Sequence, residues 1–160
     1  MADILTVRKA GKIDALAVDS LLSEWFDWKP DLGRLGSIHR AITKRELLVA
    51  EVNNQVIGFI HYVMHEDIID GGPNSFITAF YVSPAHRGKG TGTRLLEESI
   101  ADSLSMGAVG VETSTILASA KKLYEKHHFK ETFGDIGEVF LELDLPEYLQ
   151  AKKKGDASNG

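Results

Sequence analysis

The residues with the clearest chemical potential run from Val82 to Gly92, as Val82-Ser83-Pro84-Ala85-His86-Arg87-Gly88-Lys89-Gly90-Thr91-Gly92. Three alternating glycines leave the backbone free of side chains, so a ligand can come close. A helix begins just beyond them, and the amides of its first turn have no partners within the helix. The helix dipole adds partial positive charge there, and Arg87 and Lys89 add formal charge. Together these features predict a seat for a pyrophosphate. Two better-known phosphate loops do not fit. A Walker loop needs Gly-Lys followed by Ser or Thr, and here Gly88-Lys89 is followed by Gly90. The dinucleotide fingerprint G-x-G-x-x-G fails because the glycines stand at 88, 90 and 92.

Other chemistry-bearing residues are scattered. His61 and His65 stand at even spacing in one strand-like run, hence on one face, with Glu66 next to them. A histidine titrates near neutrality and can strip a proton from an ammonium, and Glu66 can act through a water. The two histidines have no third ligand at a recognisable spacing, so no metal is expected. His127 and His128 are adjacent on a helix, point in different directions and read as structural. Trp25, Phe26, Asp27, Trp28 and Asp31 place aromatic rings beside carboxylates. Such a cluster suits a cationic amine through cation–π and charge contacts, or simply packs helices onto a sheet.

The elements that must position these groups follow from periodicity. Ile4–Arg8 alternates as a short strand. Ile13, Ala17, Leu21 and Trp25 recur at helical spacing, and this helix ends near Trp28–Pro30 because the residue before a proline disfavours helix. A weaker helix runs from about Asp31 to Lys44. Leu47–Glu51 and Gln55–Met64 read as strands joined by a turn at Asn53-Asn54. A loop covers Asp70–Asn74. Ser75–Val82 is apolar on both faces and is therefore a central strand. Helices over Thr93–Met106 and Ser119–His127 flank a strand at Ala108–Thr113, and Gly107 stops the first of them. Phe129–Phe133 and Glu138–Leu145 read as a closing hairpin around Gly134 and Gly137. The class is α+β, with residues 1–150 as one domain and 151–160 as a flexible tail.

Composition narrows the function. The 160 residues are 43% hydrophobic and 26% charged, with no cysteine and a net charge of −5. Thiolate chemistry and disulfides are excluded. A chain this acidic has no basic face for nucleic acid, its longest basic run being Lys152–Lys154. No apolar run is long enough to span a membrane, and the N-terminus lacks the pattern of a signal peptide, so a cytoplasmic location is expected.

The chain resembles the GNAT acetyltransferases. Val82, Pro84, Arg87, Gly90 and Gly92 match the family's V-x-P-x-x-R/Q-x-x-G-x-G/A signature. Ala120-Lys121-Lys122-Leu123-Tyr124-Glu125-Lys126-His127-His128-Phe129 resembles its second signature, A-x-x-L-Y-E-K-x-G-F. Two ordered motifs are far more specific than one. Leu117 stands where the family often has Asn, and His128 where it usually has Gly.

The resemblance implies a mostly antiparallel, centrally splayed sheet of about seven strands with about four helices. It also implies acetyl-CoA as co-substrate, with Phe80, Tyr81 and Val82 beside its pantetheine arm and Arg87, Gly88, Lys89, Gly90, Thr91, Gly92 and Thr93 at its pyrophosphate. Tyr124 would meet the cofactor sulfur and protonate the leaving thiolate. Some members carry a glutamate early on the central strand, where this chain has Phe76 and Thr78. The residues themselves offer His61 with Glu66, or Glu112, to take the amine proton, and an amine of low pKa needs no protein base. By resemblance, Trp25, Asp27 and Trp28 would wall the acceptor site. The expected reaction is acetylation of a primary amine, a small cationic or amino-acid-like acceptor being favoured. A protein lysine or N-terminal acetyltransferase, and a non-catalytic acyl-CoA sensor, are the alternatives. A homodimer is expected from the habits of the family.

Overall fold

A computed structural model describes residues 2–135 and 138–158. Strands β1 (Leu5–Lys9), β2 (Leu47–Val52), β3 (Gln55–Asp67), β4 (Gly72–Val82), β5 (Gly110–Thr115), β6 (Lys130–Asp135) and β7 (Glu138–Asp144) form a seven-stranded sheet in the order β1-β2-β3-β4-β5-β7-β6. Of the described pairings, β1–β2, β2–β3, β5–β7 and β6–β7 are antiparallel and β4–β5 is parallel. The α-helices are α1 (Ala15–Phe26), α2 (Leu32–Thr43), α3 (Thr91–Ser105), α4 (Ala118–Lys126) and α5 (Leu145–Ser158). This is the mixed, mostly antiparallel fold expected, with one helix more. Among the described residues no helix is long and apolar enough to cross a membrane.

The chain divides into two compact units, and the division runs through β3, β4 and α3. The first unit, Met1–Val63 with Thr78–Ser99, is built on the stripe of α1. Ala15, Val18 and Leu21 are buried against Leu47, Val49, Phe59 and Tyr81, with Ile38 and Ala41 of α2 closing the cluster. Each fully buried aliphatic side chain contributes roughly 1.5–3 kcal/mol. The β2–β3 turn forms where Asn53 and Asn54 were expected to make it, at φ 50° and 64°, the left-handed pair that a two-residue hairpin requires.

The second unit, Met64–Ile77 with Ile100–Gly160, places Asn74–Ile77 of β4 beside Gly110–Thr113 of β5. On its other side β5 pairs with β7, from Gly110↔Asp144 to Thr115↔Val139. Val111, Leu141, Leu143 and Leu145 are fully buried here. Gly107, at φ 88°, ends α3 as its position predicts. Residues 151–158, expected as a tail, continue α5 as helix with exposed side chains. Gly137 of the expected hairpin turn lies outside the described residues.

Candidate functional site

The glycine loop belongs to the first unit. After β4 comes a single 3₁₀ turn at Pro84–His86, and Gly88 and Gly90 then take φ 73° and 85°. Only glycine visits that region without strain. A Cβ built on either would meet nothing within 4 Å, so the space above the loop is open. Helix α3 begins at Thr91, two residues earlier than the pattern predicts, so Gly92 lies inside its first turn. The first-turn amides therefore start at the glycines themselves. The Arg94 amide donates to the Gly90 carbonyl at 3.0 Å. Arg94 also adds a third exposed cation beside Arg87 and Lys89. Sequence reasoning passed over Arg94, although its place in the first turn was readable. An open, glycine-turned helix start with three cations fits a pyrophosphate.

Arg87 has a second role. Its Nε donates to the Val82 carbonyl at 2.8 Å, and its guanidinium lies 5.3 Å from the Tyr81 ring centroid. It thus ties the loop back onto β4. Tyr81 is buried, and its hydroxyl donates to Glu24 Oε1 at 2.9 Å, where the Ser83 hydroxyl also donates at 3.1 Å. Burial first, then the Glu24 carboxylate, pushes the Tyr81 phenol above its ordinary range. Tyr81 is therefore anchored in the core, while Phe80 and Val82, its neighbours in the alternation, are half-buried. Gly58 of β3 permits the close packing here, since a Cβ on it would come within 2.9 Å of the Tyr81 carbonyl.

The aromatic cluster is a ladder. Trp25 stacks on Tyr81 at 5.2 Å and on Phe26 at 4.5 Å, and Phe26 stacks on Trp28 at 4.3 Å. The Arg34 guanidinium lies 5.8 Å from the Trp28 ring centroid. Trp25 is thus stacked within the protein, while Trp28 rests on Phe26 and stays 54% exposed. Asp27 ends α1 at φ 53° and is exposed, and Asp31 caps α2 by accepting from the Arg34 amide at 2.8 Å. Arg34 clamps the connection, with Nε on the buried Asp19 carboxylate at 2.5 Å and Nη2 on Ser23 Oγ at 2.8 Å. An aspartate within the apolar stripe of α1 was the signal for this clamp.

The structure gives the two histidines of β3 separate partners. In the first unit, Nδ1 of His61 lies 2.5 Å from the Thr78 hydroxyl. Burial pushes His61 below its usual range; Glu46 works against this and Lys44 adds to it. Burial thus favours the neutral imidazole, which is the form a base requires. In the second unit, Nε2 of His65 lies 3.2 Å from Glu112 Oε2, and Glu66 is exposed.

Tyr124 is 3% exposed, and its ring lies 5.2 Å from that of Phe129. Burial raises its phenol above the ordinary range, and a hydrogen bond with the Thr113 side chain pulls it back down. Thr113, itself buried on β5, was not among the expected site residues. Only the tertiary fold brings it to Tyr124. His128, in the family's glycine position, sits at φ 70° where α4 exits, which explains why glycine is usual there. Leu117 occupies the N-cap of α4 and makes no side-chain cap.

The Acetyltransferase (GNAT) family profile matches residues 13–129, well over half of the chain. Among proteins of curated function none matches the sequence significantly. Solved structures share the fold at low identity. An N-acetyltransferase from Staphylococcus aureus Mu50 superposes with a TM-score of 0.74 at 22% identity, over 89% of this chain and 99% of its own. The aminoglycoside N-acetyltransferase AAC(6')-Iy, solved with CoA, gives 0.74 at 17% identity, over 84% of this chain and 93% of its own. The yncA protein of Salmonella typhimurium, a proposed acetyltransferase solved with its cofactor acetyl-CoA, gives 0.72 at 21% identity, over 88% and 94%. With both signatures in place and the profile running through them, the chain belongs to the GNAT family of N-acetyltransferases.

Proposed function

We propose that this enzyme transfers an acetyl group from acetyl-CoA to a primary amine by direct attack on the thioester. The observation that carries this reading is the open glycine-turned start of α3, with Gly88 and Gly90 at positive φ beneath empty space. When bound there, acetyl-CoA supplies an activated acyl carbon. Amides from about Gly88 to Thr93 hold the pyrophosphate, with Arg87 and Lys89 balancing its charge. Phe80, Tyr81 and Val82 offer strand backbone to the pantetheine arm. The Val82 amide is the group assigned to the thioester oxygen.

In the reaction a C–N bond forms as the C–S bond breaks. The amine gives up a proton and the thiolate gains one. His61, whose neutral form burial favours, is the acceptor we favour for the first proton, with Glu66 able to relay it through water. Tyr124 is assigned to the second. A phenol raised by burial is a weak donor to a thiolate, and the Thr113 hydrogen bond that favours its ionised form supports the role. Because Trp25 is already stacked on Phe26 and Tyr81, recognition of a cationic amine falls to the exposed Trp28 and to the exposed Asp27 carboxylate at the end of α1. The lack of cysteine suits a reducing cytoplasm.

The test combines calorimetric titration of acetyl-CoA with thiol-release kinetics on a panel of small primary amines. Tyr124→Phe is expected to lower kcat by about 100-fold while acetyl-CoA affinity holds. Gly90→Val is expected to abolish saturable acetyl-CoA binding. Unchanged turnover in Tyr124→Phe would remove the tyrosine from the mechanism, and unchanged binding in Gly90→Val would remove the loop.

A further inference from the structure

Glu24 lies on the exposed side of α1, and neither proton transfer of the reaction involves it. Among the described residues its carboxylate is in no ion pair, and its partners are two hydroxyls at the end of β4. Tyr81 donates at 2.9 Å and Ser83 at 3.1 Å, both to the same oxygen, Oε1. Tyr81 and Ser83 stand two apart on extended chain, so both project to one face of the sheet, the face on which α1 packs. An exposed carboxylate bonds water nearly as well, so the arrangement adds little to overall stability. What it fixes is direction.

Ser83 is the point at which the strand gives way to the glycine loop. Its amide donates to the Ile57 carbonyl of β3 at 2.8 Å, and its carbonyl accepts from the His86 amide at 2.9 Å, closing the 3₁₀ turn. The Arg87 amide then donates to the Pro84 carbonyl at 3.3 Å, and Arg87 Nε returns to the Val82 carbonyl. The path from Ser83 to Gly88 is therefore short and bonded at each step, and the angle at which Ser83 leaves the strand sets where the glycines stand. Beyond Arg87 this restraint ends, because Gly88 and Gly90 are exposed, sit at positive φ and carry no side chain to anchor them. Glycine is the residue that loses most freedom on ordering, so a loop built on it gains most from a fixed starting point.

We propose that Glu24 is a positioning residue for cofactor binding: by accepting from Tyr81 and Ser83 it fixes the exit of β4 and thereby the glycine loop that receives acetyl-CoA. The inference rests on the reading of that loop as the acetyl-CoA seat. Without Glu24 the two hydroxyls turn to water and the loop starts from a looser base. Acetyl-CoA must then order it on binding, and the cost appears as weaker affinity. The requirement is for an acceptor oxygen at this place, and a neutral amide oxygen meets it as a carboxylate does.

The experiment uses the full chain and reads two quantities, the Kd for acetyl-CoA by calorimetry and the rate of tryptic cleavage after Arg87 and Lys89 without ligand. Glu24→Ala, an exposed change to the best helix former, keeps α1 intact. It should weaken acetyl-CoA about tenfold, the worth of one hydrogen bond to a charged group, and speed cleavage at the loop by a similar factor. Glu24→Gln, which retains an oxygen acceptor, should stay within about twofold of the wild type in both. Tyr81→Phe with Ser83→Ala should reproduce Glu24→Ala, and adding Glu24→Ala to that pair should change nothing further. Unchanged affinity and cleavage in Glu24→Ala overturn the proposal. So does a Glu24→Gln as weak as Glu24→Ala, which would assign the effect to charge, or a triple variant weaker than the double. Wild-type protein that binds no acetyl-CoA removes the reading of the loop and this inference with it, whereas a binding wild type with an indifferent Glu24→Ala removes the inference alone.

Discussion

The two units treat carboxylates in opposite ways. In the first, the buried aspartates Asp14 and Asp19 each own a guanidinium. Asp19 is held by Arg34, and Asp14 is held by Arg8, which also reaches Glu51 at 2.6 Å. These pairs join α1 to α2 and β1 to β2, so charge acts there as a fastener. In the second unit the carboxylates of Asp67, Asp70, Glu112 and Glu142 face one another around one asparagine. A paired charge whose needs are met inside the fold points to structure. The second group is held by neutral amides and one histidine, with no guanidinium or ammonium among its described partners, so its like charges are screened less completely.

The largest effect should come from breaking the first kind. Asp19→Asn leaves the Arg34 guanidinium, 15% exposed, without its counter-charge. It should lower the unfolding free energy by about 3–5 kcal/mol in urea melts. A loss under about 1 kcal/mol would break the comparison, since the fastener would then hold nothing.

Arg8→Met should cost less, about 1–3 kcal/mol, because Arg8 is partly exposed and Asp14 keeps its bond from the Gly11 amide. Its pH signature is specific. The Arg8 hydrogen bond holds the Asp14 carboxyl below its ordinary value. The stability this contributes is therefore present above the unfolded carboxylate range and is lost as pH falls through the folded value. In Arg8→Met the acid-side loss should shrink, and the gap to the wild type should close as pH falls, which melts between pH 2 and 6 will read.

The smallest effect should carry the opposite sign. Glu142→Gln, measured in EDTA at pH 7, should raise stability by about 0.2–1 kcal/mol by removing one of two facing charges. The Glu142 carboxyl is raised in the folded state. Its penalty is absent below the ordinary carboxylate pKa and appears as pH rises toward and through the folded value, so the advantage of Gln should grow from pH 4 to 7. A destabilised Glu142→Gln would show that the second cluster is a fastener too.

The parts readable from sequence were those written in local pattern. The Asn53-Asn54 turn, the stop at Gly107 and the glycine loop all depend on residues that tolerate unusual φ, and each lies where expected. Helix α5 was also locally encoded, by Asp144, whose carboxylate accepts from the Glu147 amide at 2.7 Å, and by Pro146 in the first turn. The polar tail beyond it drew attention away from that cap. What could not be read depends on strand register. Thr113 beside Tyr124, Thr78 beside His61, and Glu112 opposite Glu142 are matched only once the sheet forms. No spacing along the chain carries that information.

The stack of Trp25 on Tyr81, with Arg87 over the same tyrosine, gives the enzyme an optical gauge of its own. Indole emission responds to what lies against the ring and to charge close by. A ligand that draws Arg87 off Tyr81 toward the glycine loop alters both at once. Trp28 is the other indole in the chain, and replacing it with Phe leaves Trp25 as the sole reporter. Occupancy of the loop then becomes a change in intrinsic fluorescence, readable in a stopped-flow cell on unlabelled protein before any amine is present.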